Sequence, residues 1–497
     1  MWLTLLALLS GAALPFAFAP FNLFPIAYFS PAILLWIWLR SSPWQAGYRG
    51  FLFGVGFFGV GTSWIYISVH NFGNASTLLS IFITSLFVGF LALYPALQGF
   101  LSRRFFQNKS ASIQALCIFP AGWLIFEALR AWLFTGFPWL LLGYSQLSTP
   151  LHNLVPLFGV YGLSLVVCFL SAGLVVLALP TKTNKAKTIA ASLIILSFGS
   201  GLILKNKMWT QPTSKAIQVS LVQGNIAQEL KWKPEELLNI LQIYRGMTDD
   251  VWGSKLIIWP EAAVPIFPQD ITGYFNSISQ TAKQRGDNLI IGSPLFDANT
   301  RKAYNGLQLL GKNKGIYFKR HLVPFGEYTP LQSVFGALMK QLNIPMSNFY
   351  KGPEKQKLLS IGKIKIAPYI CYEIAFSREV LRHTQGAQVI VNISDDSWFG
   401  QSIALNQQLQ MTQFRALETG RPVLASTNTG VTAIINSQGK VIRSLPINQR
   451  EVLTGMFIPM KGTTPLMQWN YYPTTAVTFL LLVIGGLTRK KLGSTLA

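Results

Sequence analysis

Membrane-length apolar runs dominate the N-terminal part of the chain. Stretches of about 17 to 25 predominantly apolar residues, each enough for a helix to cross a hydrocarbon layer, lie near 2–19, 24–40, 50–70, 77–100, 111–133, 157–180, 188–204 and 472–488. Between 205 and 470 the pattern changes. Short β-branched runs recur at Ala216 to Val222, Leu256 to Trp259, Leu289 to Gly292, Gly306 to Leu310, Ile364 to Ile370, Val389 to Ile393, Val423 to Ser426 and Val431 to Ile435. Helical stretches such as Pro234 to Thr248 and Gln269 to Arg285 separate them, and this alternation predicts sheets covered by helices. The expected fold is a polytopic α-helical membrane protein of about eight transmembrane helices carrying an α/β domain. Its parts are 1–204, a membrane domain of about seven helices; 205–470, an extramembrane domain; and 471–497, a last helix with a basic tail.

Composition supports this reading, since 51% of the 497 residues are apolar and only 12% are charged, little for a soluble chain of such length. Arg40, Arg49, Arg103, Arg104, Lys109, Lys182, Lys185, Lys187, Arg489, Lys490 and Lys491 fall in alternate short loops or the tail, whereas the loops around 19–24, 70–76 and 134–156 hold no Lys or Arg. The positive-inside rule then predicts cytoplasmic termini and a domain on the opposite side of the membrane. Much of the net charge of +23 sits in those inside loops, so it reads as topology rather than as a nucleic-acid surface. The first run resembles a signal peptide in ending on small residues. It lacks a basic start and leads straight into further spans, so a retained helix is expected.

Cys117 and Cys168 lie in predicted spans and Cys371 stands alone in the 205–470 region, so no disulfide framework is implied. His70, His152, His321 and His383 are scattered without ligand spacing, and neither a metal site nor a cofactor is expected.

Three polar residues sit where short apolar runs end. Glu261 follows Trp259-Pro260, and a proline there ends a strand so that the next side chain can turn into a cleft. Lys319 lies in the basic trio Lys319 to His321, and Cys371 closes the run Ile364 to Ile370. Singly, each has a plain reading: a solvated loop carboxylate, a solvated basic face, a small buried hydrophobe. Together they suit thiolate chemistry, in which a lysine ammonium lowers the thiol pKa, a carboxylate takes its proton, and Lys319 with the backbone N–H after Cys371 stabilises an oxyanion.

These residues resemble the carbon–nitrogen hydrolase (nitrilase) superfamily, with a Glu, Lys, Cys triad on an α-β-β-α sandwich, and within it the apolipoprotein N-acyltransferases of the bacterial cytoplasmic membrane. The likeness runs through Leu133 to Trp139, Gly143 to Gln146, Gln223 to Asn225, Trp259 to Glu261, His321 to Glu327, Ile370 to Glu373 and Trp398 to Gly400. It implies Glu261, Lys319 and Cys371 as the triad, Glu327 and Glu373 as supporting acids, and Trp232, Asn305 and Tyr372 as further site positions. One departure is Asp395 in Asn392 to Trp398, where the family usually has Asn. The implied reaction moves an acyl chain from a membrane phospholipid onto Cys371, then to the α-amine of a lipoprotein's N-terminal diacylglyceryl-cysteine. The partners implied are the bilayer, the phospholipid donor and the apolipoprotein acceptor, with the domain on the periplasmic side of the inner membrane.

Leu331 to Tyr350 is apolar and aromatic, and is read as a mobile lid touching lipid, against a helix buried in the domain core. Glu127 and Arg130 share a helix face, as an ion pair or as functional charge, before a Phe137-Pro138-Trp139 loop that is a candidate re-entrant piece. The competing functions are a membrane-anchored nitrilase-type amidase, in which water replaces the amine, and a transporter with a degenerate soluble domain.

Overall fold

The computed structural model describes residues 1–73, 75–180, 184–330 and 348–488. They divide into two compact units, one drawn from Met1–Tyr66, Leu78–Lys207 and Gln468 onward, the other from Ile67–Thr77 and Met208–Met467. The expected lid falls almost wholly outside the described residues.

The first unit is helical. Every predicted apolar run contains a helix: Trp2–Ala13, Ile26–Leu39, Pro43–Gly61, Thr77–Phe106, Ala111–Ile113 continuing to Arg130, Val155–Ala178, Asn184–Ile203 and Tyr472–Leu487. Among the described residues four helices are long and apolar enough to cross a membrane, or five if the bent pair Pro43–Gly61 and Trp64–Phe72 is one span. The apolar helices Trp2–Ala17, Ile26–Leu39 and Tyr472–Leu487 are shorter. At 1.5 Å per residue they reach only about 20 to 25 Å, less than a full hydrocarbon layer.

Close backbone approach sets the packing of Trp2–Ala13 on Pro43–Gly61. A Cβ at Gly11 would lie 2.0 Å from the Phe53 carbonyl oxygen, and one at Gly56 2.3 Å from that of Leu8, so only glycine fits either position. Glu127 accepts hydrogen bonds from the Trp123 indole (3.0 Å) and the Leu142 N–H (2.7 Å), while Arg130 donates to the Phe137 (2.8 Å) and Trp139 carbonyls. Both charges thus brace the 137–142 loop.

The second unit holds two six-stranded sheets among its described residues. Apart from the short pair β1 (Gln211–Pro212) and β14 (Met460–Lys461), the strands are β2 (Ile217–Gln223), β3 (Leu256–Ile258), β4 (Asn288–Asp297), β5 (Lys302–Gly311), β6 (Gly315–Phe318), β7 (Leu359–Ile361), β8 (Ile364–Ile370), β9 (Val389–Ser394), β10 (Val423–Thr427), β11 (Ala433–Ile435), β12 (Val441–Ser444) and β13 (Glu451–Phe457). One sheet runs β13-β2-β3-β4-β5-β6 and the other β12-β11-β10-β9-β8-β7. Each has three parallel strands at its centre, β2-β3-β4 and β8-β9-β10, and antiparallel strands outside.

Alternation along the strands dictates the layers. On β3, Leu256 and Ile258 enter a core shared with Ile366 and Ile370 of β8 and Val389, Val391 and Ile393 of β9, so the two sheets pack face to face. The opposite side chains, Ile257 and Trp259, meet Ile240, Tyr244 and Ile278 of helices Leu237–Asp249 and Thr272–Arg285. Ala367 and Tyr369 of β8 meet Val380 and Ala416 of helices Ser377–His383 and Ala404–Thr419 on the far side. The result is an α-β-β-α sandwich.

Candidate active site

The candidate residues come from the ends of strands in both sheets. Glu261 lies three residues beyond β3, Lys319 directly after β6, and Cys371 directly after β8. Glycine makes the first approach possible: a Cβ at Gly292 of β4 would sit 2.3 Å from the Pro260 carbonyl oxygen and 2.8 Å from the Glu261 Cα.

Lys319 and Glu261 are buried, not solvated. The Lys319 ammonium is 3.2 Å from Glu261 Oε1 and 3.0 Å from Glu327 Oε1. Asn305 on β5 donates to the same two oxygens, at 2.7 and 2.6 Å. Backbone amides complete the set, Asp395 N–H to Glu261 Oε2 and Val323 N–H to Glu327 Oε2, each 2.8 Å. Burial alone would depress the Lys319 pKa, but Glu261 and Glu327 on either side of the ammonium hold it above the ordinary lysine value.

Cys371 is half-buried and has φ 51°, the left-handed region that a residue with a Cβ seldom occupies. It opens the short 3₁₀ turn Cys371–Ala375, where strand direction breaks at the end of β8. Burial, with Glu261 and Asp396 adding to it, pushes the thiol well above its ordinary pKa; Lys319 and a hydrogen bond from Ser394 only partly oppose this. The expectation that the lysine would set the thiol pKa is therefore met in sign but not in outcome. At neutral pH the resting group is a thiol, so its proton needs an acceptor when chemistry begins.

Glu373 is a brace, facing the main chain instead of the Lys319 cluster. Its carboxylate accepts from Arg320 N–H (2.7 Å), His321 N–H (3.2 Å), Ile370 N–H (2.7 Å) and the Tyr317 hydroxyl (2.8 Å). Tyr372 packs edge-on against Phe376 at 5.0 Å between ring centroids. Trp232, half exposed, lines a cavity of about 460 Å³ with Pro265, Ile266, Phe267, Pro294 and Phe349. Pro294 is the cross-strand partner of Asn305, which sets this apolar cavity beside the Glu261 cluster. Among the described residues no group of His, Cys, Asp and Glu is arranged to hold a metal ion.

Sequence reasoning missed the residues behind the site. Lys231, Ser394, Asp396, Gln408 and Asn428 form a buried polar layer under Glu261 and Cys371. Burial raises the Asp396 carboxyl to about 7. The adjacent acids Asp395-Asp396 just past the β-branched run Val389 to Ile393 were the available signal; nothing local marked Lys231.

An α-β-β-α sandwich with Glu, Lys and Cys at its strand ends defines the class, and residues 218–457 match the carbon–nitrogen hydrolase family model. Residues 10–173 match the model of the apolipoprotein N-acyltransferase N-terminal domain. Apolipoprotein N-acyltransferase from Coxiella burnetii is 50% identical, covering 97% of this chain and 99% of that protein; the one from Methylococcus capsulatus is 42% identical, covering 94% and 93%. Solved structures that resemble the chain include the C. elegans NitFhit protein, at 14% identity over 52% of this chain and 64% of that one with a TM-score of 0.39. The chain belongs to the apolipoprotein N-acyltransferase family. It is a bacterial membrane protein and an acyltransferase built on a carbon–nitrogen hydrolase domain.

Proposed function

We propose that the protein transfers an acyl chain from a membrane phospholipid to the α-amine of the N-terminal diacylglyceryl-cysteine of apolipoproteins, with Glu261, Lys319 and Cys371 as the triad. Residues 205–470 are the catalytic domain, on the periplasmic side of the inner membrane, carried by eight spans with both termini cytoplasmic. The observation that carries the reading is the shared ammonium: Lys319 bridges Glu261 and Glu327 at 3.2 and 3.0 Å, beside a half-buried thiol in a left-handed backbone.

In the first half-reaction Glu261 takes the Cys371 proton as the sulfur attacks the ester carbonyl of the phospholipid. Lys319 and the N–H of Tyr372 stabilise the oxyanion. Collapse breaks the ester C–O bond, the proton goes to the departing oxygen, and a lysophospholipid leaves a thioester on the enzyme. In the second, the acceptor amine loses a proton to Glu261 and attacks the thioester. The C–S bond breaks and the thiol regains a proton. Asn305 and Glu327 hold Lys319 and Glu261 in place, Glu373 holds the Cys371 turn, and Trp232 walls the cavity beside them, with Tyr372 supplying the N–H.

Intact mass spectrometry tests this. Protein incubated with phospholipid alone gains one acyl mass in the wild type and none in Cys371→Ala, and a diacylglyceryl-peptide removes it. Cys371→Ser abolishes turnover, because an alcohol in this setting is a far weaker nucleophile. Release of free fatty acid to water with no transfer to an amine would instead support the amidase alternative.

A further inference from the structure

Asp395 places a second buried carboxylate next to Glu261, and such a group needs a counter-charge. Lys231 supplies it: its Nζ is 2.6 Å from Asp395 Oδ2, with the side chains only 1% and 6% exposed. Asp395 Oδ1 accepts from Ser397 Oγ at 2.8 Å and Asn428 Nδ2 at 3.1 Å, so the carboxylate is bonded on both oxygens. Its own N–H donates to Glu261 Oε2 at 2.8 Å. Lys231 ends the helical turn Gln228–Lys231, directly before Trp232 of the cavity wall. Asn428 ties down the approach to that turn, donating to the Ile226 carbonyl (2.8 Å) and accepting from the Ile226 N–H (3.0 Å).

A buried ion pair is a poor source of stability, because desolvating two charges offsets most of their attraction. Apolar residues of similar volume would hold the turn as well. What they would not do is keep the charge balance of a site where Glu261 faces Lys319, Glu327, Asp396 and the Cys371 sulfur. We propose that Lys231 and Asp395 are a matched positioning pair, which holds the Glu261 carboxylate in register with the Trp232 wall of the cavity and keeps the field at that carboxylate and at Cys371 neutral. The inference rests on the assignment of Glu261 as the base for Cys371.

The test is the pH dependence of iodoacetamide alkylation of the full-length protein, read at the Cys371 peptide by mass spectrometry. This readout needs no substrate. Asp395→Asn leaves a cation and moves the midpoint to lower pH; Lys231→Met leaves an anion and moves it to higher pH, each on the order of one pH unit. The double variant returns toward the wild-type midpoint. A merely structural brace would instead let water reach the thiol in both single variants and shift both the same way, which overturns the proposal, as does no shift in either. Should Lys231→Met fail to fold, the isosteric Asp395→Asn and the double variant decide alone. Acylation by phospholipid is followed in the same samples: a wild type that gains no acyl mass refutes the acyl-transfer reading, while opposed alkylation shifts still support the pair.

Discussion

The Lys319 ammonium lies 3.2 Å from Glu261 Oε1, and both side chains are buried at the ends of strands from one sheet. Glu327 takes the other side of the same ammonium at 3.0 Å. One cation therefore holds two carboxylates that would otherwise repel. Lys319→Met should lower the rate of acyl-thioester formation by at least about a thousandfold, since it removes an oxyanion donor and disorders the base. It should also cost about 3–5 kcal/mol of stability, because a broken buried pair leaves uncompensated charge. Single-turnover acylation and chemical denaturation read the two effects separately, and Lys319→Ala with full acylation would remove lysine from the mechanism.

Glu373 is the acceptor for three backbone N–H groups that flank Lys319 and Cys371. Glu373→Gln keeps the shape but presents an amide NH₂ to at least one of those donors, so about 2–4 kcal/mol of stability should be lost. Tyr317→Phe removes only one hydroxyl bond and should cost about 1 kcal/mol. Denaturation midpoints for the two variants check the ranking.

Asp396 makes stability depend on pH. Burial raises its carboxyl from 3.8 to about 7, so the folded state binds the proton more tightly than the unfolded chain. Stability from this group is fully present below about pH 4 and is lost as pH rises through about 7, by as much as about 4 kcal/mol. Asp396→Asn should flatten the stability profile between those limits and leave the variant the more stable one at pH 8. An unchanged slope would mean that another group carries the dependence.

Gly292 is the contact through which β4 passes the Glu261 turn. Gly292→Ala puts a methyl group against the Pro260 carbonyl and should displace Glu261, with a stability loss of about 1–3 kcal/mol. Acylation should fall well beyond what that loss explains, because the base moves with its backbone. Equal acylation by correctly folded variant and wild type would count against Glu261 as the base.

Strands with strict alternation were legible because one residue of slip would exchange their buried faces. β8 and β9 lie within a residue of the predicted runs, as their side chains enter two different cores in turn. β6, β12 and β13 were not legible. β6 has only four residues, and in β13 the buried positions are Leu453, Gly455 and Phe457, the middle one without a side chain, while the apolar Met456 is exposed, so partner strands decide it, not its own pattern. Glu261, Lys319 and Cys371 could be picked out by strand-end position and chemical type. That Glu373 faces the backbone while Glu327 faces Lys319 could not, because both are glutamates in comparable motifs and only the crossing of strands separates them.

By itself the sequence determined the apolar helices, the alternation that splits the second unit into layers, and which side chains bear reactive chemistry; all of these follow from local spacing and residue type. Which carboxylates share the Lys319 ammonium, that burial outweighs Lys319 at the thiol, and that Lys231 answers Asp395 from 164 positions away came from the fold alone. Hydrogen bonds, burial and charge pairing depend on distances between segments remote in sequence, and folding brings those segments together.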